Sequence, residues 1–358
     1  MEPAEEASGP WIGVLASPSR VEAQLIAATP FGRLRSAGRR VVEDVDGPME
    51  FLPLPLERQL AGKARVPNES KAGQAWVETV ANAIAKLTFG LRGGSPRVGL
   101  CLQAVLDPTG RRVMGADGGA RVRDFVESLE VALRGRNIDL ATPIGRALSV
   151  GEASTLGEMH SALGGLAGVP DALSMVWWDD VSWTQVARGR VTQTAVEPKG
   201  SEHDVGLLGL EQRIRRRSPD GKRILSAVRD GEQVAVEELA KAAHALGREA
   251  ARRLIEWPVA DQSRHPVPSP PASRLLVGGR MGRTASDSRL RDVLLDPLEV
   301  GLAEGLHDRE DAALQRGLLV PHEGEPGALN HQLAPGLLQL SQEDSAAIIG
   351  AASLVGPS

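Results

Sequence analysis

The sequence predicts an α/β protein of two lobes. Three observations predict it. The chain has 358 residues, 42% of them hydrophobic and 24% charged, enough to bury more core than one small domain holds. Apolar runs of strand length end in proline or glycine turns, as in Arg97 to Leu106 before Asp107-Pro108-Thr109-Gly110, and in Arg274-Leu275-Leu276-Val277 before Gly278-Gly279. Between such runs lie segments whose apolar residues recur at helical spacing, notably Lys71 to Thr88 and Val236 to Ile255.

In chain order, Trp11 to Ala16 and Val21 to Ile26 read as two strands around the turn Ser17-Pro18-Ser19, a hairpin opening. Residues 39 to 66 are rich in proline and charge and give weak signals. Lys71 to Thr88 then places Trp76, Val80, Ile84 and Leu87 on one helical face. Arg97 to Leu106 is a buried strand, and Val122 to Leu133 a further helix. Residues Pro258 to Ser273 carry five prolines and read as a surface excursion. The chain closes on a helix of small residues, Ser345 to Leu354, able to pack closely against a neighbour.

Composition narrows the function. A formal charge of -5 and a pI near 5.9 argue against general affinity for nucleic acid or an anionic membrane. The single cysteine, Cys101, cannot form an internal disulfide, and no Cys/His cluster has zinc spacing. A reducing cytoplasm is the expected compartment. The acidic start lacks the order of a signal peptide, and no apolar run reaches the roughly 18 residues of a membrane span.

The order of these elements resembles the plan of the ROK family of sugar kinases. Leu106-Asp107-Pro108 is similar to the end of the strand where that family has Pro-Gly-Pro-Val-Asp, and Leu156-Gly157-Glu158 to the end of its Asn-Asp-Ala-Asn helix. Ala245-Leu246-Gly247-Arg248 and Leu275 to Gly279 stand where the adenosine-side helix and strand do. Asp344 to Ala352 is similar to the closing Asp-Asp-Ala-Gly-Leu-Ile-Gly-Ala-Ala. The resemblance implies two ribonuclease-H-like (actin/hexokinase-like) lobes with an interlobe cleft. One lobe would comprise 10–148 plus 338–358, the other 149–337.

The functional positions of that family are mostly replaced. Its first phosphate loop, Asp-x-Gly-Gly-Thr, corresponds to Leu15-Ala16-Ser17-Pro18-Ser19, where Pro18 removes an amide donor and fixes φ. Ser17 and Ser19 keep hydroxyls that can bind a ligand. The second loop falls on Trp178-Asp179-Asp180-Val181-Ser182-Trp183, whose two carboxylates would repel polyphosphate in a low-dielectric cleft. Counting back from Leu156 puts the family's catalytic Asp at Val150, beside Ser149, Gly151 and Glu152; valine accepts no proton. The zinc loop has no counterpart, since Gly200 to Leu208 holds no cysteine. Gly209-Leu210-Glu211 resembles the ending Gly-Cys-Leu-Glu, making Glu211 a candidate contact to a ligand hydroxyl.

Other clusters have a plain reading beside a sharp one. Arg213 to Arg217 with Lys222-Arg223 is a solvated helix end before it is a phosphate site. His203, His265, His322 and His331 have no metal-like spacing. Trp177, Trp178 and Trp183 form either a stacking platform or core. Asp179-Asp180 is either an acid/base or metal pair or a solvated strand-end turn. Gly278-Gly279 suits a nucleotide's approach or a tight turn alone.

The expected function is therefore a ROK-like protein without phosphoryl transfer, a pseudokinase serving as a ligand-binding or regulatory partner protein. The alternative is a divergent enzyme that uses Glu152, Asp179 or Asp180 in the cleft. Ligand contacts are expected at Ser17, Ser19, Glu211, Gly278 and Gly279. ATP-Mg is disfavoured and zinc is not expected; the partner is a sugar- or nucleotide-like molecule or another protein, with a homodimer implied by the resemblance. DNA binding through a helix-turn-helix ahead of the fold is not expected, because about ten residues precede the first strand.

Overall fold

A computed structural model describes residues 9–17, 20–45, 69–90, 94–113, 124–178, 180–196, 205–217, 224–256, 272–285, 287–321 and 331–356. The chain divides into two compact units, Met1–Ala167 with Ser345–Ser358, and Gly168–Asp344.

The first unit is built on a five-stranded sheet of order β3-β2-β1-β4-β5. Strands β1 (Trp11–Ala16), β2 (Arg20–Ala28) and β3 (Leu34–Asp44) form an antiparallel meander, and β4 (Arg97–Leu102) and β5 (Ala147–Ser149) continue it in parallel with β1. Alternation along β1 assigns its two faces. Ile12, Val14 and Ala16 join Leu100 of β4 in a core with α1 (Glu69–Thr88) and α2 (Phe125–Arg134), where Trp76 meets Phe125 edge to face at 4.6 Å.

The opposite face carries the last helix, α10 (Ala346–Ser353), and glycine makes its approach possible. Gly13 of β1 and Gly99 of β4 are register partners. A Cβ on them would stand 2.1 Å from the Ile348 carbonyl oxygen and 1.9 Å from that of Ala351. Helix α3 (Val150–His160) packs on α10 as tightly: a Cβ on Gly157 would lie 1.8 Å from Ala346 O, and one on Gly350 1.7 Å from Ala153 O. Small residues thus set the helix-to-sheet and helix-to-helix distances together, which keeps α3 in this unit.

The second unit repeats the arrangement with order β12-β9-β6-β7-β8. Strands β6 (Ala172–Trp177), β7 (Val181–Ala187) and β8 (Arg190–Val196) are the antiparallel meander; β9 (Leu275–Gly278) and β12 (Leu338–Leu340) run parallel to β6. Leu173, Met175, Trp177, Trp183, Leu275 and Val277 bury one face in a core shared with α4 (Leu207–Arg217), α5 (Ile224–Arg229), α6 (Gln233–Glu256), α7 (Gly279–Thr284) and α8 (Ser288–His307). Helices α6 and α8 also touch through glycine, with Gly247 against Leu298 O and Gly301 against His244 O. A short helix, α9 (Glu310–Gln315), and the pair β10 (Leu319–Pro321) and β11 (His331–Leu333) complete it. Each unit is a ribonuclease-H-like sheet, and β5 and β12 hold matching places, leading into α3 and α10.

Two expectations are corrected. The opening hairpin is a three-stranded meander: β3 gave little signal because, as an edge strand, it buries only Leu34 and Val41 among its eleven residues. Strand β4 stops at Leu102 rather than Leu106, since its partners β1 and β5 end opposite it at Ala16 and Ser149. The excursion 258–273 lies outside the described residues up to Pro271.

Candidate functional site

In the first unit the parallel strands β1, β4 and β5 end beside the β1–β2 turn, the position where α/β sheets bind ligands. That turn is closed on itself. The Ser17 amide donates to Arg20 O at 2.8 Å, the Arg20 amide donates to Ser17 O at 3.3 Å and to its Oγ at 2.9 Å, and the Ser17 hydroxyl donates to Arg20 O at 2.9 Å. Both amides flanking the turn are therefore engaged within the hairpin. Pro18 and Ser19 lie outside the described residues.

Strand β5 delivers the start of α3. Ser149 is its N-cap, accepting from the Glu152 amide at 3.3 Å, so Val150 is the first helical residue and Glu152 the third. The Glu152 carboxylate is half-buried and accepts from Arg146 at 2.7 Å. Nothing in the sequence announced Arg146, which precedes β5 while Glu152 follows it in α3. Beneath them Cys101 is fully buried, and desolvation, with the Glu152 charge second, pushes its thiol far up.

The Asp107 loop is also self-contained. Its carboxylate accepts the Thr109 hydroxyl at 2.6 Å and the amides of Arg111 and Arg112 at 3.0 and 2.9 Å. The Thr109 hydrogen bond, then those amides, hold it below the usual carboxylate range. A group so depressed stabilises the fold above its unfolded pKa of about 4 and loses that contribution as pH falls through the lower folded value. Asp107→Ala should therefore be less stable than wild type at neutral pH and converge with it in acid; parallel urea midpoints at both would refute this.

In the second unit three predicted elements gather at the Trp177 end of the sheet. The β6–β7 turn closes with the Trp178 amide donating to Asp180 O at 2.8 Å. The Leu207 amide, opening α4, donates to Trp178 O at 3.2 Å, and the Trp177 indole donates to Val205 O at 3.0 Å. Gly279 adopts φ 76°, and a Cβ there would stand 2.7 Å from Trp177 O, so tight turn and close backbone approach both require glycine. Glu211, one turn into α4, is half-buried with Arg215 at 3.9 Å. Asp179 lies outside the described residues.

The stacking-platform reading fails for two of the three tryptophans. Trp177 and Trp183 are each 1% exposed within the core, and Arg253 lies over the Trp183 ring at 4.9 Å. Trp178 is half-buried at the turn. The basic run folds back as surface: Arg213 and Arg217 both reach Glu238 of α6, at 3.1 and 2.9 Å. His331 pairs with Glu310, while His203, His265, His322 and the Lys222-Arg223 pair lie outside the described residues. Among the described residues no group of three or more His, Cys, Asp or Glu can hold a metal ion, and no helix is long and apolar enough to cross a membrane.

Two ribonuclease-H-like units, each carrying a turn at the ends of its parallel strands, make up the described chain. The fold is ROK-like. A ROK family glucokinase from Streptomyces griseus, in complex with glucose and AMPPNP, matches at a TM-score of 0.56 and 16% identity, over 97% of this chain and 99% of that one. A ROK hexokinase from Thermus thermophilus matches at 0.53 and 15%, over 96% of each chain. A ROK family transcriptional regulator, a homolog of the E. coli Mlc protein, matches at 0.53 and 13%, over 98% of this chain and 78% of its own. No family model matches the sequence, and no curated protein does.

Proposed function

We propose that this ROK-like protein has lost phosphoryl transfer and acts, in the cytoplasm, by binding a sugar- or nucleotide-like ligand or a partner protein. One observation carries the reading. At the first turn of α3, where the family resemblance puts the catalytic base, stands Val150, and the nearest carboxylate in sequence, Glu152, is held by Arg146. The β1–β2 turn supports it, since Pro18 has no amide and the amides of Ser17 and Arg20 already donate within the hairpin. A triphosphate approaching there meets few free donors. The ligand class follows from the relatives, one of which holds glucose with a nucleotide analogue and another of which is a regulator.

Isothermal titration with ATP-Mg, alone and with hexoses present, tests this. No heat from the nucleotide and no ADP release are expected. Micromolar affinity with sugar-dependent turnover would overturn the proposal in favour of a divergent enzyme.

A further inference from the structure

The first unit's sheet ends on β3, and among the described residues the ladder partner of β3 is β2 alone. An edge this long, eleven residues, exposes backbone donors and acceptors that can pair with another chain. Its first residue is occupied, because Leu34 bridges Ser161. The second half is open, with Arg39, Arg40, Val42 and Asp44 all exposed.

Alternation divides these side chains. Val41 enters the core and Glu43 pairs with Lys86 of α1, so both lie on the helix-covered face. Arg40, Val42 and Asp44 share the other face, where Glu22 of β2, the register partner of Val42, holds Arg40. The exposed row therefore reads cation, apolar, anion, centred on a valine that is 42% exposed. Charges on an edge usually prevent pairing, and a single sign would repel a second copy. Opposite signs two residues either side of one apolar position do the reverse.

We propose that the second half of β3 pairs antiparallel with the same strand of a second copy, about a two-fold axis through Val42. In that register Val42 meets Val42, and Arg40 of each copy lies directly opposite Asp44 of the other. Directly opposed charges of unlike sign stabilise a strand pair, and this arrangement makes two. Asp44 has no ion-pair partner among the described residues, whereas in the dimer it completes a row with Arg40 and Glu22. A slip by one residue along either strand cannot substitute, because it would set side chains of opposite faces against each other. So short a pairing buries little surface, and the dimer is weak and concentration-dependent.

Sedimentation velocity from low micromolar to near-millimolar concentration reads it out. The wild type should dimerise reversibly. Asp44→Arg, which replaces both unlike pairs with opposed cations, and Val42→Glu, which sets two carboxylates on the axis, should each weaken it at least about tenfold, since like charges directly opposite destabilise a strand pair. Arg40→Asp should weaken it likewise, and the double variant R40D/D44R should restore it. Unchanged thermal unfolding of D44R and V42E confirms that the fold is intact. A wild type that stays monomeric throughout, or a dimer that neither Asp44→Arg nor Val42→Glu weakens, overturns the proposal.

Discussion

Gly350→Ala is expected to cost more than about 3 kcal/mol of folding stability, at the upper end of what a single added methyl does. The added carbon would lie 1.7 Å from Ala153 O and 2.7 Å from the Gly157 amide nitrogen, and both are backbone atoms of α3 that cannot rotate away. Relief by moving α10 outward is blocked on its other side, where Ile348 and Ala351 rest on Gly13 and Gly99. Either α10 leaves the sheet or α3 leaves α10, and each exposes core. Gly145→Ala makes the control, since it has open space and no positive φ. Its urea midpoint should match wild type to within about 0.5 kcal/mol. Comparable midpoints for the two variants would mean that helix and sheet are not locked by these glycines.

That lock was half legible in the sequence. The run Ala346 to Ala352 announced a helix built for close packing, and the apolar strands around Gly13 and Gly99 were plain. What periodicity could not say is that the two glycines are register partners under the same helix, because register is a property of the folded sheet. Helix α8 was hidden for a different reason: Pro297 reads as a breaker, yet the helix runs through it. The candidate site could be read only through the family resemblance, which implies the base position at Val150, the first helical residue of α3. It was illegible where partners came from separate elements. Arg146 on Glu152 and the Val205 carbonyl on Trp177 are contacts that no linear pattern encodes.

The second large effect is expected at Trp177, which joins three parts of the second unit. Its side chain ends β6, is 1% exposed, and lies in one core with Val181, Leu207 and Leu210. Its indole N–H holds Val205 O, and its backbone supports the Gly279 turn. Trp177→Ala should cost about 3–5 kcal/mol, most of it lost burial and the cavity left behind. Trp177→Phe keeps most of the apolar volume and removes the hydrogen bond, about 1 kcal/mol on its own with a smaller packing loss added. The two variants also differ in where the loss appears. Because the Leu207 amide donates to the carbonyl of Trp178, a collapsed Trp177 site frees the start of α4 along with the β6–β7 turn. Amide exchange in residues 205–211 should then accelerate in the alanine variant far more than in α6, and only modestly in the phenylalanine variant. Equal acceleration throughout the second unit would show that Trp177 contributes bulk stability alone, and that the turn and the helix start are held in place by something else.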